Sequence, residues 1–221
     1  MYDYKQISLA YKIVMYRKMG LSLSKIRERL APASTSDGFS MMEQQLQELE
    51  GQIAELQQQK YNILVYQDAM RRYGNRKSGS EFSIEQMEVE PLLVLPSLES
   101  LHGTATTMNQ FLMHCRESGI RIDCHIGRCF STSLTSERDW HMADSIYFKK
   151  LDGSAEKAAG RYLVYTTFTD GSDINEVYAR LFTYMKKHGL RVAGRIYEDY
   201  PLSGIFASDR NVHLIRIMAA L

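Results

Sequence analysis

The sequence has few of the features that mark secreted, membrane-spanning or metal-binding chains. No apolar run approaches the roughly 20 residues that a membrane-spanning helix needs. The N-terminal stretch MYDYKQISLAYK carries charges where a secretory signal would have its apolar core. The cysteines form no C-x-x-C pair and are three in number: Cys115, Cys124 and Cys129. We therefore expect a cytoplasmic protein with reduced, mostly buried thiols and no metal site.

Neither sign of charge dominates, since 27 basic residues face 26 acidic ones. A balanced chain creates no long-range field that would favour nucleic acid or an acidic substrate, so any such contact must come from a local patch. Hydrophobic residues make up 44% of the 221 residues, which is enough to bury a real core. The sequence has no G-x-S-x-G elbow and no phosphate-binding loop, so we expect no cofactor.

Residues 1–30 have the pattern of two short helices. Asp3 stands in the N-cap position of the first helix, and Gly20 marks its end. The apolar positions of this helix recur at steps of four and three residues: Leu9, Ile13 and Tyr16. A second helix is predicted to begin at Ser22 or Ser24, and the small polar residues at 31–40 predict a linker.

The strongest periodic signal lies in residues 41–70. Apolar residues recur there at steps of four and three, separated mostly by Gln, Glu and Lys: Met42, Leu46, Leu49, Ile53, Leu56, Ile63 and Met70. Such a narrow seam is typical of a coiled coil, so we expect a homodimer formed through this helix. Lys60 lies in the seam and would help to fix its register. The alternative is a single helix folded against its own chain.

A weak internal repeat follows a second predicted linker at 74–83. At an offset of 70 residues, PLLVLPSLES at 91–100 aligns with RYLVYTTFTD, and ESGIRIDCHI at 117–126 aligns with KHGLRVAGRI. Each copy has the pattern strand, helix, strand, strand. The second helix is predicted to start at Asp173 and to bury Ile174, Val177, Leu181 and Met185. The fold class expected is α+β: helical N-terminal segment, long coiled-coil helix, then a duplicated strand-helix-strand-strand domain.

These regions, in this order, resemble a regulator of the mercury-resistance-regulator (MerR) family with a GyrI-like effector-binding domain. YDYKQISLAYKIVMYRKMGLSLSKIRERL resembles the second half of the family's winged-helix domain, with MGLSLSKI in place of its LG-x-SL-x-x-I motif. VYARLFTYMKKHGLRVAGRIYEDYPLS is similar to the effector domain. The resemblance implies a winged-helix remnant at 1–40, a coiled-coil dimerisation helix at 41–73 and a GyrI-like domain at 84–221.

The family's DNA-reading helix-turn-helix has no counterpart in this sequence, which starts about where the first wing would end. The resemblance therefore implies that promoter DNA is bound only with that missing region. Tyr2, Arg17 and Lys18 are expected to contact phosphates as the family's second wing does, which positions a protein without reading sequence. A solvated helix face is the alternative for the basic residues.

The candidate ligand site centres on the strand GRIYEDYPLSG. Alternation places Ile196, Glu198 and Tyr200 on one face, so a carboxylate lies among apolar and aromatic neighbours. A buried carboxylate needs a partner, which a cationic ligand would supply, and aromatic walls would add cation–π attraction. The resemblance implies the same role for Glu198. The other candidate ligand-binding residues are aromatic: Trp140, Tyr147, Tyr165, Phe168, Tyr200 and Phe206.

Two alternatives stay open for this strand. Glu198 can be a structural group paired with Arg161, Arg195, a tyrosine hydroxyl or Arg128, which occupies the matching position of the other repeat. For each aromatic residue, core packing is the competing interpretation; a loop position would make Trp140 a lid.

The sequence and its resemblance lead to one functional hypothesis and two alternatives. The hypothesis is a dimeric, ligand-responsive transcription regulator, an activator, which binds hydrophobic and cationic small molecules and is not an enzyme. The first alternative is a drug-sequestering protein that does not bind DNA. The second is a GyrI-like hydrolase that uses Glu198 as a general base.

Overall fold

The computed structural model describes residues 3–30, 35–76, 78–97, 108–118, 125–131, 139–202 and 213–221. The chain divides into two compact units, one up to Gln57 and the other from Gln58 onward. In the described ranges, no helix is both long enough and apolar enough to cross a bilayer. The mixture of helices with one antiparallel sheet confirms the predicted α+β class.

The first unit contains α1 (Tyr4–Lys18), α2 (Leu23–Arg29) and the first part of α3 (Thr35–Tyr73). Gly20 has φ of +84° and turns the chain between α1 and α2. The Ser22 hydroxyl accepts a hydrogen bond from the Lys25 N–H at 3.3 Å, which makes Ser22 the cap of α2. A small core forms from Leu21, Ile26 and Met41, with Ile13, Tyr16 and Leu30 packed against it.

Helix α3 is longer than the periodic signal predicted. It begins at Thr35, inside the predicted 31–40 linker, so that boundary is wrong. All seven seam residues are exposed, by fractions of 37% to 62%: Met42, Leu46, Leu49, Ile53, Leu56, Ile63 and Met70. Helix formation tolerates the small polar residues at 35–40 because only Gly38 among them strongly disfavours a helix.

The second unit is an eight-stranded sheet with the order β1-β6-β8-β7-β3-β4-β2-β5. Its strands are β1 Glu81–Met87, β2 Glu90–Pro96, β3 Ile126–Phe130, β4 Ser145–Lys149, β5 Ala155–Lys157, β6 Gly160–Thr169, β7 Ile196–Asp199 and β8 His213–Ala220. All the pairings are antiparallel. The two short strands β3 and β7 lie at the centre.

Two helices, α4 (Met108–Glu117) and α5 (Ile174–Lys187), cover one face of this sheet, called here the helix face. The predicted α5 face is confirmed, because Ile174, Val177, Leu181 and Met185 are buried. They pack with sheet residues such as Tyr165, Ile215 and Ile217. Helix α4 contributes Phe111 and Cys115 to a second cluster, with Ile146 and Phe148.

Asp173 stands before α5, as predicted, but its side chain does not cap the helix. One carboxylate oxygen accepts a hydrogen bond from the Thr169 hydroxyl, and the other lies 3.5 Å from Arg180. Asp173 therefore marks the start of α5 without capping it. The competing partners from β6 and α5 take the carboxylate instead.

Candidate functional site

Glu198 lies at the centre of the sheet on β7, with a relative exposure of 0%. The strand alternates as predicted: Ile196 joins the core of the helix face, whereas Tyr197 joins the cluster on the opposite face. The Tyr178 hydroxyl of α5 donates to Glu198 Oε2 at 2.8 Å. The Tyr200 hydroxyl and Arg128 Nη1 donate to Glu198 Oε1, the latter at 3.2 Å. The buried carboxylate therefore has both a counter-charge and three donors.

Arg128 lies directly opposite Glu198 in the β3–β7 register. Its Nη2 donates to the carbonyls of Trp140, at 2.8 Å, and His141. Burial lowers the pKa of the guanidinium, but Glu198, Tyr200 and Tyr178 outweigh that effect and raise the pKa above its ordinary value. Of the partners that the sequence left open for Glu198, Arg128 and tyrosine hydroxyls are the ones found.

An aromatic cluster closes over this pair. Trp140 stacks on Tyr178, with ring centroids 4.0 Å apart, and meets Phe130 edge-on at 5.3 Å. Only 2% of Trp140 is exposed, so in this structure it packs as a core residue, and its role as a lid stays a prediction. Sequence reasoning missed Tyr178. Its spacing of four from Ile174 and three from Leu181 would have placed it on the buried face of α5.

The other predicted ligand residues do not gather around Glu198. Tyr165 shares the helix face but stacks on Phe82 at 4.1 Å. Tyr147 lies on the opposite face and donates its hydroxyl to Asp199. Phe168 packs with Ala69, Tyr73 and Leu214. Phe206 lies outside the described residues.

The predicted phosphate contacts remain predictions. Tyr2 lies outside the described residues, and Lys18 is exposed at the end of α1. Arg17 donates from Nη1 to the Leu21 carbonyl at 3.2 Å, so part of its guanidinium is engaged within its own turn.

A cavity of about 190 Å³ adjoins the Arg128 side of the cluster. It is lined by Arg128, His141, Thr169, Gly171, Ile174, Tyr200 and His213. None of these lining residues is an aspartate or a glutamate. The His213 Nδ1 atom is buried and has no hydrogen-bond partner among the residues that the structure describes. The cavity therefore offers room beside the Arg128 guanidinium without a competing carboxylate among its lining residues.

A buried charge network occupies the opposite face of the sheet. It includes Asp199, the residue that follows Glu198 on β7. Lys149 Nζ lies 2.9 Å from Asp199 and 3.0 Å from Glu90, and Lys157 pairs with the other Glu90 oxygen. Burial raises the pKa of the Asp199 carboxyl, but Lys149 and His125 outweigh this and hold it well below the ordinary value. For Glu90, burial is likewise outweighed by Lys149 and Lys157, so its pKa is also lowered.

This network reaches the second half of α3. Gln58 Nε2 donates to the Lys149 carbonyl at 3.0 Å, and Gln58 Oε1 accepts from the Leu151 N–H at 2.9 Å. The Tyr61 hydroxyl donates to Glu90 at 3.2 Å. A cavity of about 570 Å³ lies beside these groups and is also lined by Arg72, His125 and Arg216. Hydrogen bonds and ion pairs therefore connect β7 to α3.

Acidification is expected to weaken this network. Asp199 and Glu90 have lowered pKa values in the folded protein, so their contribution to stability is present above the ordinary values of 3.8 and 4.5. It is lost as the pH falls through the lower, folded-state pKa values. Stability to urea, compared between neutral pH and about pH 2 to 3.5, should fall less in Asp199→Asn than in the wild type. The control is Asp152→Asn, because the Asp152 side chain is 78% exposed. This variant should lose as much stability on acidification as the wild type. Equal slopes for Asp199→Asn and the wild type would contradict the assignment.

Comparison with known proteins adds independent information on the family. Residues 12–64 match the family model described as "MerR, DNA binding". The chain is 20% identical over 212 residues to the "Multidrug-efflux transporter 2 regulator" of Bacillus subtilis (strain 168), covering 91% of this chain and 75% of that protein.

Solved structures give weaker likenesses. The EcmrR protein in an EcmrR–DNA complex has a TM-score of 0.39 and 12% identity, covering 99% of this chain and 84% of that one. A bacterial transcription regulation protein from Staphylococcus aureus MU50 has a TM-score of 0.35 and 13% identity, and the match covers 65% of this chain and 100% of that one. A hydrolase from Listeria innocua has a TM-score of 0.35 and 12% identity, and the match covers 70% of this chain and 97% of that one.

The family match corrects one expectation. The sequence was expected to bind promoter DNA only with a missing region, but a MerR DNA-binding domain is present at residues 12–64. The match extends from α1 well into α3, beyond the boundary at residue 40 that the resemblance implied. The short motif MGLSLSKI lies inside it.

Proposed function

We propose that this chain is a MerR-type transcription regulator, an activator controlled by a small molecule, since residues 12–64 match the family model and a curated relative is a regulator. The ligand binds on the helix face of the sheet at Glu198. Residues 12–64 contact promoter DNA, and α3 joins this region to the sheet. The name of the Bacillus relative, a regulator, favours this proposal over the hydrolase alternative.

The observation that carries the proposal is the placement of two adjacent carboxylates on β7. Glu198 points to the aromatic cluster on the helix face, and Asp199 points to the charge network that reaches Gln58 and Tyr61 of α3. A ligand that binds to Glu198 therefore also acts on the strand that holds Asp199. For such a ligand to switch the protein, it must bind one arrangement more tightly than the other.

The topology supports a duplicated, GyrI-like effector domain. From the sheet centre outward, one half has the order β3-β4-β2 and the other β7-β8-β6, which is second, third and first strand of each repeat. The central register pairs Arg128 with Glu198, and these two positions are separated by the 70-residue offset of the sequence repeat. A pseudo-two-fold axis through this pair explains both facts. It also explains a site at the centre of the domain.

The ligand proposed is a hydrophobic cation. Trp140, Tyr178 and Phe130 provide aromatic surface beside the one carboxylate of the cluster, and aromatic faces attract cations. The name of the Bacillus relative, a regulator of a multidrug-efflux transporter, favours a drug-like compound as the ligand. The cation would take its counter-charge from Glu198, as argued below.

A homodimer through residues 41–70 is proposed from the exposed seam of α3. Seven apolar side chains in coiled-coil spacing stand exposed on a helix, and a second copy of the chain would bury them together. The Lys25–Glu48 ion pair, at 2.7 Å, occupies the α2 side of the helix.

Ile53→Lys should convert the dimer to a monomer at micromolar concentration. The variant places a charge in the middle of the seam, where a buried unpaired ammonium strongly opposes association. Light scattering coupled to size exclusion measures the mass. Glu55→Lys, two residues away and off the seam, is the matched control and should stay dimeric. A monomeric wild type, or a dimeric Ile53→Lys variant, would contradict this interface.

DNA binding tests the proposed function directly. The purified chain should recover specific duplexes from a randomised pool, and binding should weaken steeply as salt increases because phosphate contacts release counter-ions. If no duplex is recovered while small cations still bind, the drug-sequestering alternative takes its place.

A further inference from the structure

The Glu198 carboxylate cannot simply receive a cation, because it already has one. It has no exposed surface, and it accepts from Tyr178, Tyr200 and Arg128. A carboxylate carries a single charge, so a second cation in this buried site would stand beside Arg128 and be repelled by it. A cationic ligand must therefore replace Arg128 rather than join it.

Arg128 has both a tether and a place to move. Its Nη2 is held by the carbonyls of Trp140 and His141, which do not depend on Glu198. The guanidinium also lines the cavity of about 190 Å³, together with His141, Tyr200 and His213. Nη1 can leave Glu198 and turn into this space while Nη2 keeps its carbonyl partners. The Phe130 ring, 5.2 Å from the guanidinium carbon, supports its face.

The group that replaces Arg128 must also donate a hydrogen bond. Departure of Nη1 leaves Glu198 Oε1 with Tyr200 as its described partner. In a fully buried site, a lost donor carries a desolvation penalty that a charge without N–H groups does not recover. Amidinium, guanidinium and primary ammonium groups supply both charge and donor, whereas quaternary ammonium groups supply only charge.

We propose that Arg128 is an internal counter-ion that a ligand displaces, so that this residue selects N–H-bearing cations as ligands of the Glu198 site. The inference rests on the proposed function and specifies its ligand class. Arg128 thereby lowers the affinity for all cations, because each must break the Arg128–Glu198 pair before it binds. It also excludes cations that cannot replace the lost N–H donor.

Fluorescence of Trp140, the single tryptophan, can test this in the full chain because its ring stacks on Tyr178 beside Glu198. The probes are benzamidinium, benzyltrimethylammonium, neutral benzamide and benzoate. Arg128→Ala should bind benzamidinium at least about tenfold more tightly than the wild type, since the internal competitor is gone. The same substitution should increase the affinity for benzyltrimethylammonium clearly less, and should leave the affinity for benzamide unchanged.

Arg180→Ala is the matched control: this arginine is 53% exposed, pairs with Asp173 and should leave all affinities unchanged. If Arg128→Ala does not fold alone, benzamidinium should restore its thermal unfolding transition and benzyltrimethylammonium should not. Absence of both a gain in affinity and a rescue would overturn the proposal. So would equal gains for the two cations, or benzoate binding that is lost in Arg128→Ala. None of these results affects DNA recovery by the wild type, which tests the proposed function separately.

Discussion

Lys149→Met should lower the free energy of unfolding by about 3–5 kcal/mol, the typical cost of removing one partner from a buried ion pair. Lys149 lies between Asp199 and Glu90, at 2.9 and 3.0 Å, and its side chain is almost completely buried. Without the ammonium, the nearest partners left to Asp199 among the described residues are the Tyr147 hydroxyl and the more distant His125. Denaturation with urea or guanidinium chloride measures the difference.

Two further variants sharpen this experiment. Lys150→Met removes the neighbouring, partly exposed lysine, which lies 3.6 Å from an exposed Asp152, and should change stability by no more than about 0.5 kcal/mol. Adding Asp199→Asn to Lys149→Met should recover part of the loss, since the uncompensated charge is removed. If Lys149→Met costs no more than Lys150→Met, the network does not hold the sheet to α3 as described.

Trp140→Ala should lower the free energy of unfolding by about 3–5 kcal/mol, the range found when a large buried aromatic side chain is truncated. The ring stacks on Tyr178, lies tilted against Phe182 and meets Phe130 edge-on. Its removal would leave a cavity over the Arg128–Glu198 pair as well as losing the aromatic contacts. Trp140→Phe retains much of the apolar volume and should lose clearly less. Thermal unfolding and denaturant titration both measure the change.

This prediction separates the two interpretations of Trp140. A surface lid would contribute little to stability, so a loss below about 1 kcal/mol in Trp140→Ala would support a lid and contradict the core position. Binding assays in the same variant are informative only after its stability is known. For that reason Trp140 serves above as a fluorescence reporter and not as a test of the ligand site.

Periodicity predicted the helices well because each helical face repeats within a few residues. The buried face of α5 and the alternation of β7 both follow from local spacing. The small polar residues at 35–40 misled the linker prediction, because their helix-breaking tendency is weak apart from glycine and a long helix can extend through them.

Partners that lie far apart in sequence were harder to predict. The repeat placed Arg128 and Glu198 at equivalent positions, but only the register of β3 with β7 shows them side by side. Tyr147 and Trp140 were assigned to a ligand wall by residue type alone. Tyr147 faces Asp199, whereas Trp140 is buried beside Tyr178, on the side of the sheet that holds Glu198. No local pattern specifies which aromatic residues share a face when they come from different strands and loops.

The network around Asp199 was also missed. Its members come from separate elements: Glu90 from β2, Lys149 from β4 and Lys157 from β5. Each is an ordinary charged residue in the sequence, without a motif or distinctive spacing. Their burial depends on how α3 and the sheet edge close over them, which is a property of the tertiary fold. Such networks emerge only when the strand order is known.

A cation bound at Glu198 is expected to change transcription through β7 and α3. The most direct measurement is in vitro transcription from a promoter that carries a duplex selected by the protein, with and without benzamidinium. For the wild type we expect a change of at least about fivefold, the lower end of typical coupling between two sites. In Lys149→Met/Asp199→Asn, benzamidinium should still quench Trp140 fluorescence but should leave transcript levels unchanged. Transcription that is indifferent to saturating benzamidinium in the wild type, or equally responsive in both proteins, would contradict the account.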